Sequence, residues 1–127
     1  MSTLVRFLLG LILTLALAAP AQATFSIVAR DPETGDLGVA VQSHYFSVGP
    51  IVPWAEAGVG AVATQSLVEV SYGPRGLQMM SSGRGAKQTL EELLSQDPNK
   101  EVRQVAMIDS HGDVAAWTGK RCIPSAA

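Results

Sequence analysis

The stretch AGVGAVATQS, residues 57–66, is a continuous run of small and β-branched residues that carries no charge. A run of this kind is expected of a strand buried on both faces, because neither face offers polar side chains to water. It therefore marks the middle of a sheet, and the neighbouring segments must supply what flanks and covers it.

Upstream, TFSIVAR alternates apolar and polar residues, DPETGD is rich in turn formers and LGVAVQS alternates again. Residues 24–43 read as a β-hairpin with a longer loop, and VGPIVPW as a Pro-containing connection to the central strand. Downstream the period changes. Pro74 suits the first turn of a helix, Leu77 and Met80 share a face and Gly83 can end it, which predicts a helix over 74–82. Ala86, Leu90, Leu93 and Leu94 make the apolar stripe of a second helix that stops at Asp97-Pro98. RQVAMID, the turn SHGD and VAAWTG then form another hairpin. Strands, helices and strands, with antiparallel hairpins at both ends, define an α+β domain with its helices segregated onto an antiparallel sheet. CIPSAA follows the last strand with no helix to cover the opposite sheet face. The expectation is the N-terminal portion of a larger layered domain, whose exposed apolar face favours homo-oligomers.

The front of the chain has its own chemistry. Arg6, the apolar run of residues 7–19, Pro20 and the small-residue site Ala21-Gln22-Ala23 read as a secretory signal peptide over residues 1–23. The apolar run stops short of the roughly 20 residues that a membrane-spanning helix needs. Export to the periplasm or the exterior, with no stable span after cleavage, follows. A cut after Ala23 leaves Thr24 first, and a terminal Thr combines a hydroxyl nucleophile and an amine base in one residue.

Charge and motif content narrow the classes. The chain has 9 Lys and Arg against 11 Asp and Glu, with no basic cluster to track phosphates, so no nucleic acid partner is expected. Gly58-Val-Gly60-Ala-Val-Ala63 matches a relaxed dinucleotide pattern, but its glycines lie within a strand instead of turning into a helix. Gly85-Ala86-Lys87-Gln88-Thr89 lacks the Ser or Thr that should follow the lysine of a phosphate loop, and reads as a solvated helix start. His44, His111 and Cys122 lack zinc-ligand spacing, so neither metal nor cofactor is expected. Cys122 reads as a small buried apolar residue, and His111 as part of a polar hairpin turn. His44, beside Ser43 after the second strand, lies where the first hairpin brings the chain back to Thr24.

TFSIVARDPETGDLGVAVQSHYFSVGPIVPWAEAGVGAVATQS, with RQVAMIDSHGDVAAWTG and the CIP at 122–124, is similar to the family called domain of unknown function 1028. That family in turn resembles the N-terminal-nucleophile hydrolases. The resemblance implies a four-layer αββα sandwich whose first strand presents a terminal nucleophile, the place that Thr24 occupies. Proteasome-type members carry an acidic residue near the end of the second strand and a lysine in the next segment. This chain has Gln42 there and no lysine before Lys87.

The function expected is an exported amidohydrolase acting on a small-molecule or peptide amide. Thr24 is its nucleophile, the α-amine of Thr24 its base, and Ser43, His44 and Ser66 orient the amine or the substrate. The alternative is a noncatalytic exported binding module on the same fold, favoured by the missing lysine.

Overall fold

The structure, a computed structural model, describes residues 24–124 and 126. The expected signal peptide, residues 1–23, lies outside the described residues. Among the described residues, six strands form two antiparallel sheets and two α-helices accompany them. β1 (Phe25–Arg30) and β2 (Leu37–Gln42) pair as a two-stranded hairpin. β3 (Pro53–Glu56), β4 (Gly60–Ser66), β5 (Arg103–Asp109) and β6 (Val114–Thr118) form the second sheet in that order. Helices α1 (Tyr72–Ser81) and α2 (Ala86–Gln96) connect β4 to β5, and a single 3-10 turn, Lys100–Val102, precedes β5.

The apolar run that predicted a central strand is β4, which pairs with both β3 and β5 and is buried from Gly60 through Gln65. One departure from the sequence reading is β3. The expected connection VGPIVPW includes Pro53 and Trp54, yet Pro53–Glu56 pairs along its length with Gly60–Ala63. Pro53 can stand there because β3 is an edge strand and Pro53 opens it, where a missing N–H is tolerated.

The layers follow from alternation. Val62, Val105 and Met107 face the helices and pack with Tyr72, Leu77, Met80, Leu90, Leu93 and Leu94 in the core, with Trp54 and Trp117 against its margins. Ala61, Ala63 and Ile108 take the other face and are buried beneath the β1–β2 hairpin. β2 lies over β3 and β4, and β1 over β4 and β5. The result is an α+β sandwich. Of the αββα order that the resemblance implies, the described residues form one helical layer and two sheets.

Two glycines are set by close approach. A Cβ on Gly60 would come 2.6 Å from the Ile108 carbonyl oxygen and 2.8 Å from Met80 Cε. One on Gly73 would sit 2.2 Å from the Trp54 ring. Gly60 is thus a packing residue of the central strand, which accounts for the glycine pattern without a nucleotide. Among the described residues no helix is long and apolar enough to cross a membrane.

Candidate functional site

The six-residue loop of the first hairpin sets the register that builds the site. Asp31 Oδ1 accepts the N–H groups of Glu33 (2.7 Å) and Thr34 (3.1 Å), which fixes the turn and lowers the Asp31 pKa. With Phe25 opposite Gln42, the next residues out, Thr24 and Ser43, meet at the open end. Thr24 Oγ1 lies 3.0 Å from Ser43 Oγ and 3.4 Å from His44 Nδ1. The backbone N–H of Tyr45 donates to Ser43 Oγ at 3.0 Å, and the His44 ring lies against Tyr45 with centroids 4.3 Å apart. Three of the four residues expected at the site are therefore together, with Thr24 and His44 exposed to solvent.

Ser66 does not hydrogen-bond to this group. It shares the same end of the layered pair: a Cβ on Gly112, in the β5–β6 turn, would lie 3.8 Å from Arg30 Cδ. The far end of β1 thus sits at the Gly60–Asp109 end of the larger sheet, and Thr24 lies toward its Ser66–Arg103 end. Ser66 adopts φ of 69°, a left-handed conformation that non-glycine residues seldom take. The following turn is held by Arg103, whose guanidinium donates to the Leu67 carbonyl at 2.5 Å.

Arg103 is itself fully engaged. It donates to Asp97 at 2.8 Å and lies 3.7 Å from Glu69, and Tyr72 Oη donates to the same Asp97 oxygen at 3.1 Å. Burial opposes the charge on Asp97, yet the bonds from Arg103, the Asn99 N–H and Tyr72 outweigh it and lower its pKa. Burial, then the contact with Asp97, pushes Tyr72 up. This cluster lines a shallow polar depression with Arg75 and Gln96. Its charges are mutually satisfied, which makes it a structural brace for the turn after β4.

The start of α2 is occupied in the same sense. Asp109 is 3% exposed and accepts the Ala86 N–H at 2.9 Å, with His111 and Asp113 N–H groups on its other oxygen at 2.9 and 3.1 Å. Burial alone would raise the Asp109 pKa, but the three N–H donors outweigh it and lower it. A phosphate approaching the Gly85–Lys87 segment would meet this carboxylate. His111 is exposed in the β5–β6 turn, as expected. Cys122 is half-buried, with its thiol donating to the Arg103 carbonyl at 3.3 Å. Among the described residues no group of three or more His, Cys, Asp or Glu could hold a metal ion.

Sequence reasoning missed an apolar rim next to His44, formed by Tyr45 and Phe46, and the exposed Leu67 that follows Ser66. Tyr45 is 69% exposed, Phe46 98% and Leu67 64%. No Lys or Arg occurs from residue 31 to residue 74, so these segments offer no cation to an anionic ligand. The signal was in the sequence as adjacent aromatics in SHYF, next to His44.

The chain matches a family of unknown function, DUF1028, over residues 24–127. Its fold is similar to the crystal structure of protein SPO2555 from Silicibacter pomeroyi, described as a member of that family. The two share 33% identity and a TM-score of 0.76, over 80% of this chain and 48% of the other. The chain thus spans about half the length of that solved relative, at 48%. No curated protein matches it. With the family match covering residues 24–127 and extending over the whole hairpin that carries Thr24, Ser43 and His44, the chain belongs to the DUF1028 family.

Proposed function

We propose that this protein is an exported amidohydrolase of the N-terminal-nucleophile type. Removal of residues 1–23 frees Thr24. Its Oγ attacks an amide carbonyl, its α-amine takes the proton and passes it to the leaving nitrogen, and water hydrolyses the resulting ester. Backbone N–H groups of the flanking segments stabilise the oxyanion. The observation that carries this reading is the placement of Thr24 Oγ1 within 3.0 Å of Ser43 Oγ and 3.4 Å of His44 Nδ1 at an open end of the sandwich. The start of the family match at Thr24 supports it.

Two measurements test it together. N-terminal sequencing of the exported protein should return Thr24, and intact mass after treatment with a β-lactone should show one adduct that peptide mapping places on Thr24. A mature protein that begins elsewhere, or an adduct unaffected by Thr24→Ala, overturns it. A second reading, a noncatalytic binding module on the same fold, is favoured by the absence of Lys and Arg between residues 31 and 74. It would give the correct N-terminus and no adduct.

A further inference from the structure

We infer that His44 is a second proton acceptor at Thr24 Oγ, acting beside the α-amine. The inference rests on Thr24 being the nucleophile. Three hydroxyl and N–H groups carry the argument. Tyr45 N–H can only donate, and it occupies one acceptor position of Ser43 Oγ at 3.0 Å. The Ser43 hydroxyl proton is then free to point at Thr24 Oγ1, 3.0 Å away. Thr24 has one hydroxyl proton of its own, and among the side chains in contact with it the acceptor that remains is His44 Nδ1 at 3.4 Å. A neutral imidazole protonated on Nε2 presents a lone pair at Nδ1. The contact is longer than a resting hydrogen bond, within the range that tightens when substrate is bound. The ring is steadied by the Tyr45 side chain, with centroids 4.3 Å apart and planes tilted by 38°.

The steps balance. As the Oγ–carbon bond forms, the hydroxyl proton moves to Nδ1. It then passes to the leaving nitrogen as the carbon–nitrogen bond breaks. In the second half, water gives a proton to Nδ1 and its oxygen to the carbonyl carbon. The carbon–Oγ bond breaks and Nδ1 returns the proton to Thr24. The net reaction is amide plus water to acid plus amine. Two bases flanking one oxygen make either one partly dispensable.

The experiment is a four-way comparison of labelling rate with an alkyl β-lactone, in which Oγ opens the ring and the transferred proton ends on the released hydroxyl. The protein begins at Thr24 or retains Ala23, which converts the amine to a non-basic amide, and each form carries His44 or His44→Asn. Asn keeps an acceptor oxygen near the Nδ1 position without basicity, so a role in orientation alone would survive the change. Either change by itself should slow labelling by less than about tenfold, and both together by about 10² to 10⁴, the range of a lost general base. If His44→Asn leaves the Ala23-retaining protein unaffected, the inference fails while Thr24 stands. If Thr24→Ala still takes the label, the nucleophile reading fails instead. Should His44→Asn unfold, His44→Gly in the Ala23-retaining protein replaces it. Recovery of labelling with added imidazole supports the inference, and no recovery in a folded protein overturns it.

Discussion

Thr24 Oγ1 and Ser43 Oγ lie 3.0 Å apart although they are 19 positions apart in sequence, because they flank the last pair of the β1–β2 ladder. The nucleophile proposed for this chain is thus positioned by a hairpin register and not by a mobile loop. Thr24→Ala should keep the fold, since Thr24 is exposed, and abolish the β-lactone adduct. Thr24→Ser should retain part of it. Ser43→Ala removes the bond that Ser43 Oγ accepts from the Tyr45 N–H as well as its contact with Thr24, and loss of the latter, about 1 kcal/mol, should slow labelling roughly fivefold. A Ser43→Ala protein with an unchanged rate would show that this contact does not orient the hydroxyl.

Acid stability should follow the buried carboxylates. The folded-state pKa values of Asp97 and Asp109 are both lowered, so each contributes stability above the unfolded value of about 3.9, which is lost as pH falls through the folded value. Urea midpoints should therefore drop between pH 6 and pH 3. Asp109→Asn keeps one acceptor oxygen for three N–H donors, should cost about 1–3 kcal/mol at pH 6, and should flatten part of the acid limb. An unaltered pH dependence in that variant would assign the limb to other groups.

Removing Asp97 should be more severe. Arg103 is buried, and Asp97 accepts both its guanidinium and the Tyr72 hydroxyl. Asp97→Ala should destabilise by about 3–5 kcal/mol, because it leaves the buried Arg103 only the Leu67 carbonyl and the more exposed Glu69 at 3.7 Å. Arg103→Met in the same background should recover part of that loss, as read by thermal or urea unfolding.

Substrate preference should follow the rim. With Tyr45, Phe46 and Leu67 exposed and no Lys or Arg between residues 31 and 74, neutral alkyl or aryl acyl groups should react faster than chain-matched carboxylates. Paired β-lactones differing only in a terminal carboxylate give the ratio, and Phe46→Ser should reduce it. A preference for the carboxylate would point to a cation from elsewhere in the sandwich.

The outer surface should drive association. The hairpin has two strands over a sheet of four, leaving Phe25 and Ile27 exposed on its outward face and Val114 exposed on β6. The protein should scatter light as dimers or larger species at micromolar concentration, and Ile27→Lys should shift it toward monomer. A wild-type protein that stays monomeric would show that these residues are tolerated in water.

What the chain determined locally was extensive. Period-two alternation marked β1, β2, β5 and β6, and the 3.6-residue stripe marked both helices, because those patterns depend only on which neighbours share a face. The hairpin register followed from the DPETGD loop, so the approach of Ser43 and His44 to Thr24 was legible from sequence. Tertiary structure alone decided the remainder. It recruited Pro53–Glu56 as an edge strand because β4 had one open side. It also brought Asp109 to the first turn of α2 and Asp97 to Arg103 and Tyr72. Those partners are buried polar groups whose desolvation is offset only by one another, and their pairing is fixed by how the layers pack. Ser66 illustrates the same division: its strand was evident in AGVGAVATQS, whereas its separation from the Thr24 hydrogen bonds is set by how the hairpin lies across the sheet.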